Sequence, residues 1–177
     1  MIEIRSARLP QDAAAIAAID TSFRTDAVLM PVVTERGVDL VSVARSLTKT
    51  FPLDDLDADD RPWAAAWVAV VDSTVIGFAA AGYEPWNRRL TLWHLYVDVA
   101  ERGRGVARLL LDPVLGYARE LGARHVWLET SNLNAPGVAA YKALGFHMTG
   151  FDLTLYDATP AEGQLALFFS RAIGPNF

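Results

Sequence analysis

Hydrophobic and polar positions change period several times along the chain, and each change marks an element. Ile2, Glu3, Ile4 and Arg5 alternate, as a short strand does. Pro10 then opens a helix that carries Ile16 and Ile19, with Asp12 in its first turn. Residues 27–51 fit two patterns. Val28 to Val33 reads as extended. Leu40, Val43, Ala44 and Leu47 match a helix face, while Val41 and Val43 match a strand. Gly37 between the halves favours a turn, and with it a hairpin. From Trp63 the pattern is clear. "WAAAWVAVV", "DST" and "VIGFAAAGY" read as two strands on a tight turn, and "NRRLTLWHLYVDV" as a third. Residues 106–121 carry a helical stripe of Val106, Leu110, Val114 and Leu121, with Leu111 and Leu115 beside it. Pro113 falls inside that helix, removes one backbone bond and is expected to kink it. Gly122 follows as its stop. "RHVWLET" is a strand. Pro136 to Leu144 is a short helix that starts near Asn134 or Ala135 and stops at Gly145. "FHMTGFDLTLY" and "QLALFFSRA" complete the sheet.

An antiparallel meander followed by strand–helix–strand–helix–strand is an α/β or α+β arrangement, a mixed sheet covered by helices. The strands on either side of the 106–121 helix should be parallel, through a right-handed crossover. No repeat or linker interrupts the chain, so residues 1–177 read as a single domain, long enough for a sizeable core. The 52% hydrophobic and 21% charged content fits a folded globule and argues against disorder. A net charge of −5 supplies no general basic face, so no nucleic-acid partner is expected. There is no cysteine, which excludes disulfides, thiolate metal sites and a thiol nucleophile. His94, His125 and His147 lack metal-ligand spacing, so no metal is expected. The N-terminal "MIEIRSARLPQD" is not a signal peptide, and the longest apolar run is too short to span a bilayer. The expectation is a cytoplasmic protein without membrane attachment. "DDLDADD" (54–60) reads as a solvated acidic connector; the functional alternative is attraction of a cationic substrate.

The densest chemistry lies at "RGRGVA" (102–107), where a strand hands over to a helix. N–H groups at a helix start have no intrahelical partner, and the helix dipole puts positive potential there. Glycines let a bulky anion approach that backbone, and Arg102 and Arg104 add charge. The junction suits a phosphate or diphosphate; the bland alternative is a helix start with surface arginines. It is not a Walker loop, since no Gly-Lys-Ser/Thr follows. It is not Gly-x-Gly-x-x-Gly either, since Arg108 stands three after Gly105.

With Arg102, Gly105 and Ala107 after a strand ending "LYVDVAE", the junction resembles the acyl-CoA segment of the GNAT superfamily of N-acetyltransferases, Arg/Gln-x-x-Gly-x-Gly/Ala. Downstream, "NAPGVAAYKALGF" resembles a second signature of that superfamily. "DTSFRTD" (20–26), "LTKTFPLDD" (47–55), "WNRRLT" (86–91), "GARHVWLETSNLNAPGVAAYKALGF" (122–146) and "LYDATPAEGQLALFFS" (155–170) are similar to the streptothricin acetyltransferases within it. The resemblance implies a GNAT-like fold: a largely antiparallel central sheet with a splayed parallel strand pair, flanked by helices. It also implies acetyl-CoA as cosubstrate and a small-molecule primary amine as acceptor, which attacks the thioester directly through a tetrahedral intermediate.

By resemblance, the amides of Arg102, Gly103, Arg104, Gly105, Val106 and Ala107 hold the CoA diphosphate. The strand Leu95, Tyr96, Val97 pairs with the pantetheine amides, and Asn134 hydrogen-bonds the pantetheine arm. From the residues alone, Asn134 caps the following helix. Tyr141 matches the general acid: a phenol with pKa about 10 stays protonated and can give a proton to a departing thiolate. Its alternative is a packed helix tyrosine. Glu129 resembles the strand glutamate proposed as base in the ribosomal-protein N-terminal acetyltransferases, and burial would raise its pKa; its alternative is a carboxylate binding the amides of 130–134. His94 is read as a base or proton relay, or as a histidine bonded to backbone. Trp86, Trp93 and Tyr96 are read as an aromatic wall for an amine, or as core packing. The streptothricin acetyltransferases usually carry carboxylates in the strand matching 92–97; Leu92, Trp93, His94, Leu95, Tyr96, Val97 has none. That departure weighs against the substrate more than against the reaction; on the overall resemblance a streptothricin-like antibiotic is the first acceptor to try, with a peptide α-amine, polyamine or other small amine next. A non-catalytic acyl-CoA-binding sensor is the alternative of another class. The aromatic C-terminal strand suits either a core or a homodimer contact.

Overall fold

The computed structural model describes residues 1–174. Its elements are β1 (Glu3–Ser6), α1 (Ala13–Ala17), β2 (Phe23–Thr34), β3 (Gly37–Lys49), β4 (Ala65–Val71), β5 (Thr74–Glu84), β6 (Arg89–Val97), α2 (Val106–Glu120), β7 (His125–Ser131), α3 (Ala135–Ala143), β8 (His147–Asp152) and β9 (Ala166–Ala172). This is an α+β fold: a seven-stranded sheet, mostly antiparallel with one parallel pair, and a separate two-stranded ribbon of β2 and β3. The elements gather into two compact units. One comprises Met1–Ser22, Thr50–Val126 and the stretch from Ala172; the other comprises Phe23–Lys49 and Trp127–Arg171.

In the first unit β1, β4, β5 and β6 lie side by side in that order, all antiparallel. Period-two alternation sorts their residues onto two faces. On one face Val68 opposes Phe78, Phe78 opposes Tyr96, and Ala80 opposes His94. Ile16, Ile19, Leu56 and Trp63 close over Val68, Phe78 and Ala80 to form a core. On the other face Gly77 opposes Val97 and Ala79 opposes Leu95. Leu110 and Val106 of α2 lie over Gly77 there. The stripe read from the sequence is the buried side of α2, with Val106, Leu110, Leu111, Val114, Leu115 and Ala118 all inside. Each large member contributes about 1.5–3 kcal/mol of burial. The helix runs on through Pro113 to Glu120, and Gly122 follows at φ +66°.

Helix α1 begins at Ala13, later than the Pro10 start expected. Asp12 is engaged elsewhere. Its carboxylate receives Arg5 Nη1 and Nη2 at 2.7 and 2.8 Å and the Arg8 N–H at 2.7 Å. The Arg5 guanidinium holds that carboxyl down at about 2.

In the second unit β7, β9 and β8 follow one another, with β8 and β9 antiparallel. Residues 40–47 are strand, not helix. Leu40 opposes Pro31, Val41 opposes Met30 and Val43 opposes Val28, so ladder pairing overrides the local helical period. The expected strand over 146–156 stops at Asp152. The Asp152 carboxylate accepts the N–H groups of Thr154 at 2.7 Å and Leu155 at 3.1 Å, which turns the chain out of the ladder. Buried Asn132 ties three segments together. Its N–H donates to Leu165 O at 2.8 Å, its Oδ1 accepts Leu165 N–H at 2.9 Å, and its carbonyl accepts Leu29 N–H from β2 at 2.9 Å. Among the described residues no helix is long and apolar enough to cross a membrane.

One close approach is directly testable. A Cβ on Gly82 would stand 2.2 Å from the Pro62 carbonyl oxygen, a backbone atom with no rotamer to change. Gly82→Ala should lower the unfolding free energy by roughly 2 kcal/mol or more. Denaturant titration checks it; an unchanged midpoint would contradict the packing described.

Candidate active site

The β6–α2 junction forms as the sequence suggests. Gly103 and Gly105 take φ of +76° and +82°, and Gly105 is the residue before α2. A Cβ on either would meet nothing within 4 Å, so the turn presents bare backbone to open space. Gly105 O accepts Arg108 N–H at 3.0 Å and Leu109 N–H at 3.2 Å. The amides from Arg104 to Ala107 precede that ladder, as the first N–H groups of a helix do. This cradle fits a diphosphate. The arginines act differently from the expectation. Arg102 reaches back to backbone carbonyls, Val97 O at 3.0 Å, Ser22 O at 2.6 Å and Asp20 O at 3.4 Å. Arg104 pairs with Glu101. Both side chains brace the loop, and its open face is backbone.

His94 lies in the same unit. Its partner is neither backbone nor solvent but Asp55, at 2.8 Å from Nε2. The same Asp55 oxygen accepts the Trp63 indole N–H at 2.7 Å. Burial alone would raise the Asp55 pKa; the hydrogen bonds from His94 and Trp63 outweigh it and hold the carboxyl below its usual value. Asp55 Oδ1 and His94 Nδ1 are buried beside this bond without a protein partner. The rings of Phe78 and Tyr96 each stand 5.6 Å from His94, and Phe51 lies 5.9 Å from Tyr96. The connector reading of 54–60 thus holds only in part. Asp54, Asp57, Asp59 and Asp60 are exposed, while Leu56 is buried and Asp55 is turned inward. Asp55 escaped the sequence reading because it sits inside a charge run; its one signal was the apolar Leu56 beside it.

The aromatic wall does not assemble as one surface. Trp86 stands 83% exposed in the β5–β6 turn. Tyr96 lies at the far end of β6, about 23 Å of strand beyond Arg89. Trp93 is 44% exposed and sits where the β5–β6 register slips between Ala80 and Ala81. Tyr96 alone joins the His94 cluster.

The second unit collects the other titratable candidates. Asn134 caps α3: its Oδ1 accepts Gly137 N–H and its Nδ2 donates to Thr130 Oγ1, both at 3.0 Å. Its side chain thus serves the helix start, the reading drawn from the residues alone. Glu129, near the end of β7, does not bind the 130–134 amides. Its carboxylate accepts the Tyr156 hydroxyl, brought there by the turn after Asp152. Burial raises the Glu129 pKa, with the Tyr156 hydrogen bond and the charge of Lys49 opposing. Burial lowers the Lys49 pKa, opposed by Glu129. Lys49 Nζ donates to Gln164 Oε1 at 2.6 Å, and Ser131 Oγ donates to the same oxygen at 2.6 Å. Tyr141 packs its ring against Phe146 and Phe169. Burial pushes its phenol up to about 12, and the charge of Glu129 adds to the effect. Lys49, Tyr156 and Gln164 were missed because they lie far from Glu129 in sequence, and the segments 47–55 and 155–170 that contain them single out no one residue. Among the described residues no group of three or more acidic or histidine side chains is placed to hold a metal.

The sequence profile of the Acetyltransferase (GNAT) family matches residues 39–146, more than half of the chain. The chain belongs to the GNAT acetyltransferase family. It is 41% identical to the streptothricin acetyltransferase of Streptomyces lavendulae over 180 residues, covering 95% of this chain and 93% of the relative. The streptothricin acetyltransferase of Escherichia coli is 26% identical over 76% of each chain. The crystal structure of nourseothricin acetyltransferase superposes with a TM-score of 0.84 at 39% identity, over 98% of this chain and 99% of that one. A structure from Bacillus anthracis str. Ames, in complex with acetyl coenzyme A, superposes at 0.82 over 98% of this chain and 99% of that one; its 23% identity shows the shared fold. This GNAT protein is an acetyl-CoA-dependent N-acetyltransferase.

The Asp55 bond predicts an acid sensitivity. Its folded pKa is below its unfolded one, so its stabilisation is present above the unfolded value and is lost as pH falls through the folded value. Unfolding titrations at neutral and acid pH should show a smaller acid loss in Asp55→Asn than in the parent. Equal losses would remove Asp55 as a contributor.

Proposed function

We propose that this GNAT enzyme acetylates a primary amine of a streptothricin-class antibiotic, with Tyr141 as general acid and Glu129 as general base, within one catalytic domain of residues 1–177. One observation carries the acid–base assignment. Two coupled groups in one unit are driven to opposite tasks: the charge of Glu129 helps keep Tyr141 protonated, while burial raises the proton affinity of Glu129 itself. The substrate assignment rests on the 41% identity that extends over 95% of the chain.

Acetyl-CoA supplies the acyl group as a thioester whose leaving group is a thiolate. The amides of Arg102 to Ala107 hold its diphosphate at the positive end of α2. The backbone of Leu95, Tyr96 and Val97 aligns the arm that follows. Glu129 takes a proton from the incoming ammonium, so that the amine attacks with a free lone pair. Tyr141 gives its hydroxyl proton to the departing sulfur. Tyr156 orients the Glu129 carboxylate through its hydroxyl. A second reading places the base at His94, favoured by the 2.8 Å bond from its Nε2 to Asp55, which fixes the orientation of the ring.

Acetyl-CoA-dependent thiol release with streptothricin, set against peptide, polyamine and other small amines, tests the substrate. Preferential turnover of streptothricin is expected; turnover of a peptide or polyamine in its place would overturn the assignment. Tyr141→Phe keeps the ring contacts and should lower kcat about 100-fold with KM little changed; an unaltered kcat would remove Tyr141 as the acid. In the parent, kcat/KM should fall as pH drops through the raised pKa of Glu129, because the base must be ionised. Glu129→Gln should be slow at every pH and lack that acid limb. If the limb persists in Glu129→Gln and vanishes in His94→Asn, the base is His94.

A further inference from the structure

We infer that the outer edge of β3 is a contact surface for a second copy of this chain, added antiparallel about a two-fold axis at Ser42. β3 is a 13-residue strand whose sheet partner, in the two-stranded ribbon, is β2. Most of its residues are exposed, among them Val41 at 47% and Val43 at 45%, beside Met30 of β2 at 38%. A ribbon of two strands is marginal in water by itself. Natural edges of this length are usually blunted by proline or lysine. The central "VDLVSVA" (38–44) has neither.

The direction of the free backbone groups follows from one hydrogen bond. Leu29 N–H donates to Asn132 O, so Leu29 points away from β3. Its partner Ser42 must then turn its own N–H and C=O away from β2, as in any non-hydrogen-bonded antiparallel pair. Alternation extends this to Val38, Leu40 and Ala44; past Ala44 the register shifts, with Arg45 and Ser46 both set against Asp26. Pro31, which has no N–H to give, opposes Leu40 at one of these positions, as the pattern requires.

A two-fold axis at Ser42 sets each residue opposite the one whose number completes 84. Ser42 would exchange two hydrogen bonds with its copy, and Leu40 would do so with Ala44. Val41 then faces Val43 of the other copy, and Asp39 faces Arg45, each pair occurring twice. These fall in non-hydrogen-bonded pairs, where side chains stand closest. Asp39, Val41 and Val43 lie on one face of the strand and Arg45 follows at the start of the bulge, so the run is its own complement in charge and in shape. An isologous contact requires that property, and an unrelated strand has no reason to match it. Within one chain Asp39 and Arg45 are six residues apart, about 20 Å, so they cannot pair with each other.

That separation supplies the test. Sedimentation of the full chain over a concentration series should show a reversible dimer. Asp39→Arg or Arg45→Asp should raise its dissociation constant about tenfold, since each puts two like-charge pairs across the interface. The double exchange Asp39→Arg with Arg45→Asp should restore the parent value, which only a contact between copies can explain. Ser42→Pro, which removes an N–H that β2 does not use, should give a folded monomer by circular dichroism and sedimentation. A parent that stays monomeric at every concentration overturns the proposal. So does a dimer indifferent to both reversals, or one that survives Ser42→Pro.

Discussion

A strand has two faces and a period of two, and β6 must satisfy both at once. Leu95 and Val97 belong to the face on which α2 packs over Gly77. His94 and Tyr96 belong to the other, with Phe78, Trp63 and the inward-turned Asp55. Because α2 starts nine residues after Val97, the register that buries Leu110 also fixes where the helix's open amides emerge. Arg102 makes that arrangement stiff by joining the end of β6 to the chain at Asp20 and Ser22. The glycine junction, the helix and the histidine cluster are consequences of one register.

Much of this was legible in the sequence. The α2 stripe, the β4–β5–β6 meander and the glycine junction follow from periodicity and backbone freedom, which act over a few residues. The Asn134 cap was readable for the same reason. What the sequence left open depends on partners far along the chain. Residues 40–47 satisfy a helix and a strand about equally, and only β2 decides between them. Asp55 looks like its neighbours until Trp63 and His94 are brought to it. Lys49, Tyr156 and Gln164 converge from three separate segments around Glu129 and Ser131.

The absence of carboxylates from 92–97 reads differently once the fold is known. A carboxylate is present beside β6, but it arrives from the loop before β4 and meets His94 from above the sheet face. The charge beside a strand can thus come from a segment remote from it in sequence.

Asn132 has a consequence for how such enzymes diverge. Its backbone and side chain hold β2 and Leu165 at once, and its immediate neighbours are Ser131, in the Gln164 network, and Leu133, one residue before the α3 cap. The ribbon is therefore not an interchangeable appendage. Substitutions that shift the ribbon reach the Glu129 surroundings through the Asn132 amide and through Lys49, so ribbon and Glu129 network must drift together during evolution. Chimeras that graft one without the other inherit a mismatch at that amide.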